Sequence, residues 1–267
     1  MTKRAFLFFM MLFMLPLNVM GFETTKRVIA HRGVSGHYPE NTMVSFQRAI
    51  ETKAQYIELD VHLSQEGVPM VMHDENLSRT TNGTGVIGQY TVTGLKSFSA
   101  GFLTKFGDKF QAQQVPTLEE VLGLIMKGSD KFLFIEIKSH DNDQAYNDQV
   151  GFIVYQTVIN RFHEFKDRIA FISFNTSILD TIRELDPTAK LGPIFNELPK
   201  GTLADQALRL GSDIVIFSKK LLTHNQVLKK TDQVKHFIYT VLPEEVSYYN
   251  QYPGLYGFAT DFADQIE

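Results

Sequence analysis

The sequence contains no cysteine among its 267 residues. This absence excludes disulfide frameworks, thiolate zinc sites, cysteine nucleophiles and lipidated cysteines. The chain also has no basic excess, because 26 Lys and Arg stand against 30 Asp and Glu, a formal net charge of -4. We therefore expect no sequence-independent binding of nucleic acid. The chemistry of the chain must come from carboxylates, histidines and other oxygen or nitrogen groups.

Low-complexity linkers and internal repeats are also missing from the sequence. Hydrophobic residues make up 43% and charged residues 21%, which is ordinary for a globular protein and argues against a disordered chain. A chain of this length forms one large domain or two small ones. Since nothing in the sequence marks a boundary, we predict one domain.

The first residues have the layout of a secretory signal peptide. Lys3 and Arg4 precede an apolar run over Ala5–Leu17, and small residues follow it. The run is too short to span a bilayer comfortably as a permanent helix. We therefore predict a signal peptide at 1–21 and one folded domain at 22–267, with no stable membrane span after processing. This domain would be exported to the periplasm or the extracellular space.

Cleavage of this leader would change the charge of the chain. Removal of residues 1–21 would leave 246 residues and take away Lys3 and Arg4 but no acidic residue, so the formal net charge would move from -4 to -6. An uncleaved membrane anchor and a buried N-terminal helix are the two alternatives for this segment.

The rest of the sequence alternates short apolar runs with stretches of helical periodicity. Eight runs rich in β-branched and aromatic residues are predicted strands: Val28–His31, Tyr56–His62, Lys131–Ile137, Arg168–Ser173, Lys190–Ile194, Asp213–Phe217, His236–Val241 and Tyr256–Thr260. Helical patterns lie between most of them, at Asn41–Lys53, Leu118–Met126, Asp148–Phe165, Ser177–Leu185 and Leu203–Leu210. This alternation favours parallel strands covered by helices.

Eight strands in about 250 residues match the count and size of an α/β fold of the (β/α)8 TIM barrel type. A doubly wound open sheet is the alternative. The dinucleotide-binding fingerprint of that fold, Gly-x-Gly-x-x-Gly after the first strand, does not occur here. The sequence therefore favours the closed barrel.

One segment departs from the alternation. Between His73 and Pro116 the sequence is rich in glycine and has no strong helical period. Connections of this length in a compact domain usually carry function. We predict an inserted segment after the second strand that lies over one barrel mouth and forms part of the substrate cleft. A surface insertion without function is the alternative.

Two carboxylates occupy one face of the second predicted strand. Residues two apart in a strand point to the same side, so Glu58 and Asp60 share a face, and His62 can share it too. Like charges on a buried strand repel each other and are costly to remove from water. A divalent cation between the two carboxylates would resolve both problems. An exposed polar face on an edge strand is the alternative.

The third predicted strand repeats this pattern with Glu136 and Lys138 on one face. Glu136 could complete an all-oxygen site of three carboxylates, which suits Ca²⁺ or Mg²⁺ better than Zn²⁺. Such a site keeps a net negative charge, so Lys138 and Arg32 could hold a phosphate that bridges to the ion. A solvated Glu136–Lys138 pair is the alternative.

Two histidines are expected at the same barrel mouth. His31 follows the first predicted strand, and His73 ends the apolar run Val68–Met72. Catalytic groups of TIM barrels lie at the carboxyl ends of the strands. Two histidines beside a metal-bound phosphate could perform acid–base cleavage of a phosphodiester, because imidazole titrates near neutral pH. A lone histidine at a strand end is more often structural, and the neighbouring carboxylates are what favour catalysis.

Motifs along the whole predicted mature region resemble one known family. They are His31-Arg32-Gly33, Pro39-Glu40-Asn41-Thr42, Glu58-Leu59-Asp60-Val61, Gly67-Val68-Pro69, His73-Asp74, Arg79-Thr80-Thr81-Asn82-Gly83-Thr84-Gly85, Val115-Pro116-Thr117-Leu118, Glu136-Ile137-Lys138, Ser173-Phe174 and Thr260-Asp261. In content and order, the sequence is similar to the glycerophosphodiester phosphodiesterases.

The resemblance implies a (β/α)8 barrel and metal-dependent cleavage of small-molecule glycerophosphodiesters to glycerol 3-phosphate and a free alcohol. It also implies site residues: a metal set for one Ca²⁺ or Mg²⁺ ion, an acid–base pair and phosphate contacts. These are, in that order, Glu58, Asp60 and Glu136; His31 and His73; Arg32 and Lys138. Attack by the glycerol 2-hydroxyl through a cyclic phosphate and direct attack by water both fit this set. The oligomeric state stays open.

The sequence departs from the family pattern in its last third. Members commonly carry Trp-Thr-Val-Asn where this chain has Tyr239-Thr240-Val241-Leu242, so Tyr239 is expected to keep an aromatic wall for the substrate without the polar residue. We expect His62 to shape the pocket rather than bind the metal, and Glu40 to form hydrogen bonds near the site. Few residues follow Thr260, so the eighth helix should be short or absent.

Other classes of protein remain as alternatives. They are a phospholipase D-like enzyme acting on lysophospholipids or sphingomyelin, a non-catalytic binding protein for glycerophosphodiesters or related polymers, and a polysaccharide hydrolase. A binding protein does not need two histidines, and a polysaccharide hydrolase does not need Arg32 and Lys138. The residues therefore favour a phosphodiesterase.

Overall fold

The computed structural model of the chain describes residues 24–140, 143–223, 228–229 and 231–267. The strands within these ranges are β1 Arg27–Ala30, β2 Tyr56–Leu63, β3 Pro69–Val71, β4 Phe132–Ile137, β5 Ile169–Ser173, β6 Lys190–Phe195, β7 Ile214–Ser218, β8 Lys235–Tyr239 and β9 Gly257–Thr260. Residues 1–21, where the sequence predicts a signal peptide, lie outside the described residues.

The strands form a closed parallel barrel. Each strand from β4 to β8 pairs in parallel with the strand that follows it in the chain, and β4 also pairs in parallel with β2. The first strand, β1, pairs in parallel with both β2 and β9 and so closes the barrel. The remaining strand, β3, runs antiparallel to β2 and extends it as a hairpin. The (β/α)8 barrel is therefore confirmed, and the open doubly wound sheet is excluded because the sheet closes on itself.

The helices in the described ranges are α1 Met43–Glu51, α2 Val92–Lys96, α3 Leu103–Phe106, α4 Leu118–Gly128, α5 Gln144–Phe162, α6 Thr176–Leu185, α7 Leu203–Arg209 and α8 Val246–Tyr249. Of these, α2 and α3 belong to the segment between His73 and Pro116, and the others cover the outside of the barrel. After β9 the chain forms only a 3₁₀ turn at Ala263–Gln265, as the short C-terminal sequence led us to expect. No helix in the described ranges has both the length and the apolar character needed to cross a bilayer.

Two helix starts differ from the sequence prediction by two residues or more. The helix α5 begins four residues earlier than the predicted Asp148, because the Asp143 side chain accepts a hydrogen bond from the backbone N–H of Tyr146 and caps the first turn. The helix α1 begins at Met43 rather than Asn41, because Asn41 adopts a left-handed conformation with φ of 57°. The spacing of apolar residues in the sequence shows neither the cap at Asp143 nor the left-handed backbone at Asn41.

The apolar core has two layers because side chains alternate across each strand. Inward-facing residues such as Ile29, Phe134 and Phe237 fill the barrel interior. Outward-facing residues such as Leu59 and Val61 pack against the helices. On β2 the inward positions near the carboxyl end carry acidic side chains instead of apolar ones, which opens one end of the barrel to polar chemistry.

The inserted segment between His73 and Pro116 has an apolar core of its own. Its buried members are Leu77, Ile87, Leu95, Ala100 and Val115, and they pack with Met70 of β3 and with Met72, which follows β3. Lys105 in α3 donates a hydrogen bond to the backbone carbonyl of Ser35, which fastens the segment to the loop after β1. The insert is therefore a packed unit that lies against the carboxyl-end mouth of the barrel.

Candidate active site

Three buried carboxylates meet at the carboxyl-end mouth. Glu58 and Asp60 come from β2, and Glu136 comes from the neighbouring strand β4, where it pairs in register with Asp60. One oxygen of each carboxylate lies within 4.8 Å of the other two. The structure thus brings together the three residues that the sequence suggested as metal ligands.

The chemistry of this cluster fits a hard divalent cation. Glu58 Oε1 is buried and has no hydrogen-bond partner among the described residues. Burial, together with the negative charges of Asp60 and Glu136, raises the pKa of Glu58 well above its usual range. A cation bound by these oxygens would supply the missing partner and favour the ionised form, and an all-carboxylate set suits Ca²⁺ or Mg²⁺.

Two basic side chains balance part of the negative charge of the three carboxylates. Lys138 Nζ lies 2.7 Å from Asp60 Oδ1 and also contacts Glu136, while Arg32 Nε lies 3.2 Å from Asp60 Oδ2. Burial alone would raise the pKa of Asp60, but Lys138 and Arg32 hold it well below its usual range. The predicted phosphate contacts therefore lie beside the carboxylates, and Arg32 also lines the cavity at this mouth, whereas Lys138 does not.

An unusual loop after β1 positions Arg32. Arg32 has φ of 56° and Gly33 has φ of 81°, and a Cβ on Gly33 would lie 2.3 Å from Ser45 Oγ. This turn directs the backbone N–H of Arg32 to Glu58 Oε2 at 2.9 Å. Gly33 therefore permits both the positive φ and the close approach of α1.

Asn41 belongs to the site, although no role for it was predicted. Its side-chain amide donates to Asp60 Oδ2 at 2.8 Å, and its carbonyl oxygen accepts from the backbone N–H of Asp60 at 3.3 Å. Its left-handed backbone places the side chain in this position. The only sequence signal was its place in the quoted Pro39–Thr42 motif.

His31 faces the carboxylates from the end of β1. Its Nδ1 lies 2.7 Å from Asp261 Oδ1, and its Nε2 lies 3.9 Å from Glu58 Oε2. Burial would raise the pKa of Asp261, but its hydrogen bonds with His31 and Ser35 lower it to about 2. The ionised Asp261 therefore holds Nδ1 as the hydrogen-bond donor, which leaves Nε2 on the side of the ring that faces Glu58.

Asp261 is a second residue that sequence reasoning quoted but did not assign. It directly follows β9, whose Thr260 pairs with Ala30 of β1. Barrel closure therefore brings residues 31 and 261 side by side, although they are far apart in the chain. The pairing of the first and last strands was the only sequence-level clue.

His73 faces the same cavity from the end of the β2–β3 hairpin. Its Nδ1 lies 2.6 Å from Asp74 Oδ1, so it repeats the arrangement of His31. Burial lowers the pKa of His73. The neighbouring His62 does not line this cavity, and its Nε2 donates to the backbone carbonyl of His73 at 3.0 Å. His62 therefore contacts the backbone beside the cavity without lining it.

The cavity between these groups has a volume of about 230 Å³. Its polar side carries His31, Arg32, Glu58, His73 and Glu136, and its apolar side carries Ile172, Phe174, Ile194, Ile216 and Tyr239. The Tyr239 hydroxyl donates to the carbonyl of Phe195 at 3.3 Å. Tyr239 thus forms part of the wall, where the sequence suggested an aromatic contact.

A second cavity of about 400 Å³ lies at the opposite end of the barrel. Basic residues such as Arg27 and Lys190 line it together with the aromatic ring of Tyr56, and it contains none of the predicted site residues. Because TIM barrels place their chemistry at the carboxyl ends of the strands, we assign the site to the smaller cavity.

Comparison with known proteins agrees with this geometry. The family model described as the glycerophosphoryl diester phosphodiesterase family matches residues 31–265. The chain belongs to this family. Membership makes it a glycerophosphodiester phosphodiesterase, a hydrolase of phosphodiester bonds.

Individual relatives extend the comparison. A glycerophosphodiester phosphodiesterase of Caldanaerobacter subterraneus is 39% identical over 63% of this chain and 66% of its own length. The YhdW protein of Bacillus subtilis is 31% identical over 90% of this chain and 96% of its own length. The solved structure of an Oleispira antarctica phosphodiesterase, bound to the product sn-glycerol-3-phosphate, superposes with a TM-score of 0.78 at 27% identity, covering 90% of this chain and 94% of that one.

Cation binding can be measured without turnover. We expect Ca²⁺ or Mg²⁺ to raise the midpoint of thermal unfolding, since a ligand at a hundred times its Kd stabilises the fold by about 2.7 kcal/mol. Glu136→Gln should reduce this shift because it removes one carboxylate of the cluster. Circular dichroism with and without the ion gives the measurement.

Glu184→Gln is the matched control, because Glu184 is exposed on α6 and far from the cluster in the fold. Its shift should equal that of the wild type. Equal shifts in both variants, or no shift in the wild-type protein, would contradict a cation site at Glu136.

Proposed function

We propose that this glycerophosphodiester phosphodiesterase acts with one divalent cation, Ca²⁺ or Mg²⁺, and with His31 and His73 as its acid–base pair. The observation that carries the proposal is the pairing of each histidine Nδ1 with an aspartate. Both histidines line one cavity, together with Glu58 and Glu136 of the carboxylate cluster. Two imidazoles held in this way can exchange protons with two different oxygens of one substrate.

Each group in the cavity has a role that follows from its charge. A cation bound by Glu58, Asp60 and Glu136 would draw charge from the phosphate oxygens. Arg32 and Lys138 would orient the phosphate by charge-assisted hydrogen bonds. One histidine would take the proton of the attacking hydroxyl, and the other would give a proton to the departing alkoxide. The attacking group can be the glycerol 2-hydroxyl or water.

A related structure supports the substrate class. The Oleispira antarctica phosphodiesterase, 27% identical to this chain, was solved with the product sn-glycerol-3-phosphate. Release of the same product here would require a glycerophosphodiester whose alcohol group leaves. The small volume of the cavity suits a substrate of this size, with Tyr239 against its glycerol or alcohol part.

A lysophospholipid-cleaving activity is the second candidate. The observation in its favour is the apolar side of the cavity, where Phe174 is 45% exposed at the rim and its ring contacts that of Tyr239. An alcohol that carries an acyl chain would gain from burying apolar area there.

A substrate panel tests the proposal. Purified protein should cleave glycerophosphocholine and glycerophosphoethanolamine to glycerol 3-phosphate with Ca²⁺ or Mg²⁺, and excess EDTA should abolish turnover until the ion is restored. Faster turnover of lysophosphatidylcholine would favour the second candidate. Undiminished turnover in excess EDTA would overturn the metal assignment, and no turnover of any phosphodiester would overturn the activity.

Histidine variants test the acid–base assignment. His31→Ala and His73→Ala should each lower kcat by about 10²- to 10⁴-fold, because each removes one proton-transfer group. His163→Ala, at an exposed position on the barrel exterior, should keep the wild-type rate. A p-nitrophenyl glycerophosphodiester, whose leaving group needs no proton, should restore the rate of the variant that lacks the general acid. A wild-type rate in either variant would remove that histidine from the mechanism.

We also propose that the chain is exported to the periplasm or the extracellular space. Lys3, Arg4 and the apolar run that follows support this location. Mass spectrometry of the exported protein should find an N-terminus near residue 22. Recovery of the full-length chain from the cytoplasmic fraction alone would contradict the proposal.

A further inference from the structure

One arginine of the inserted segment has no role in the chemistry described so far. Arg79 begins the Arg79–Gly85 motif, and its guanidinium contacts two carboxylates. Its Nη1 and Nη2 each lie 2.8 Å from an oxygen of Glu40, while its Nε and Nη2 lie 2.5 and 3.0 Å from the oxygens of Asp74. The guanidinium of Arg79 thus binds each of the two carboxylates through two hydrogen bonds, in bidentate geometry.

The two carboxylates are themselves bound to groups of the active site. Asp74 accepts from Nδ1 of His73, and Glu40 accepts from Nη1 of Arg32 at 3.0 Å. A continuous path of hydrogen bonds therefore runs from His73 through Asp74, Arg79 and Glu40 to Arg32. The hydrogen bonds of Arg79, and then that of His73, lower the pKa of Asp74 to about 2, so Asp74 is ionised as a partner of the imidazole.

The insert holds Arg79 in this position. The backbone N–H of Phe102 donates to the carbonyl of Thr80, and the Phe102 ring lies 5.6 Å from Arg79 Cζ. Phe102 has φ of 52°, a conformation that a bulky residue adopts only where its surroundings demand it. Thr81 is buried and bonded to the carbonyl of Leu77. These contacts therefore hold the backbone on either side of Arg79 and place an aromatic ring against its guanidinium.

Direct binding of the substrate phosphate is the competing role for this arginine. A guanidinium has five N–H donors, and Arg79 uses four of them on Glu40 and Asp74. The single remaining donor does not provide a fork for phosphate.

We propose that Arg79 is a positioning residue that fixes the ring of His73 through Asp74 and the guanidinium of Arg32 through Glu40. The inserted segment then serves to carry this arginine over the barrel mouth. The inference rests on the proposed roles of His73 and Arg32. A lysine could not replace Arg79, because one ammonium group cannot hold four oxygens of two carboxylates in fork geometry.

Kinetics of Arg79 variants give the first test. Arg79→Ala should lower kcat by about 10- to 100-fold because His73 loses its alignment, with a smaller rise in KM because Arg32 loses the support of Glu40 but keeps its contact with Asp60. Arg79→Lys should recover only part of the rate. Arg161→Ala, which breaks an exposed pair with Glu119, is the matched control and should keep the wild-type kcat.

A double-mutant cycle separates positioning from general damage to the fold. If Arg79 acts through His73, its replacement should cost far less in a His73→Ala background than in the wild type. Losses that multiply independently, or a rise in KM alone, would overturn the proposal. If Arg79→Ala fails to fold, Arg79→Gln replaces it in the same cycle.

A spectroscopic measurement tests the inference without turnover. In ¹⁵N-histidine NMR spectra, neutral His73, assigned by its loss in His73→Ala, should carry its proton on Nδ1 in the wild type. In Arg79→Ala it should become a mixture of the two tautomers. His31, which is held by Asp261, should not change and is the internal control. An unchanged tautomer of His73 in Arg79→Ala would overturn the inference even if the protein is an active phosphodiesterase. If the protein shows no activity, the tautomer measurement still tests the inference.

Discussion

The burial of three like-charged carboxylates at one barrel mouth is the constraint on which the site depends. Glu58, Asp60 and Glu136 are buried, and each has a carboxylate oxygen within 4.8 Å of an oxygen of the other two. Such a cluster is costly unless cations and hydrogen bonds compensate it. Lys138, Arg32 and Asn41 provide part of the compensation and converge on Asp60, whereas an oxygen of Glu58 is left without a hydrogen-bond partner among the described residues.

A second layer of charge surrounds this cluster. Each histidine is bonded through Nδ1 to an aspartate, His31 to Asp261 and His73 to Asp74. The two aspartates come from different places, one from the closing strand of the barrel and one from the inserted segment. The end of the barrel and the start of the inserted segment therefore contribute one aspartate each to the orientation of the two imidazoles.

Much of this could be predicted because the signals are local. Period-2 alternation placed Glu58 and Asp60 on one face, and the strand ends placed His31 and His73 at one mouth. No role was predicted for Asn41, Asp74 and Asp261. The contact of Asn41 with Asp60 depends on a positive φ, and Asp74 and Asp261 bind partners that the sequence does not show to be close. A helical period over Asn41–Lys53 cannot show that Asn41 leaves the helix to bind Asp60.

The sequence by itself determined the strand and helix order, the parallel barrel, the family and the residues of the carboxylate cluster. These follow from local periodicity, from the motifs and from the short range over which adjacent strands pair. Only the tertiary structure decided which groups touch. Closure of β1 against β9 sets Asp261 beside His31, and the fold of the insert sets Arg79 between Asp74 and Glu40. Hydrogen bonds and ion pairs depend on distances of a few tenths of an ångström, which the order of residues does not encode locally.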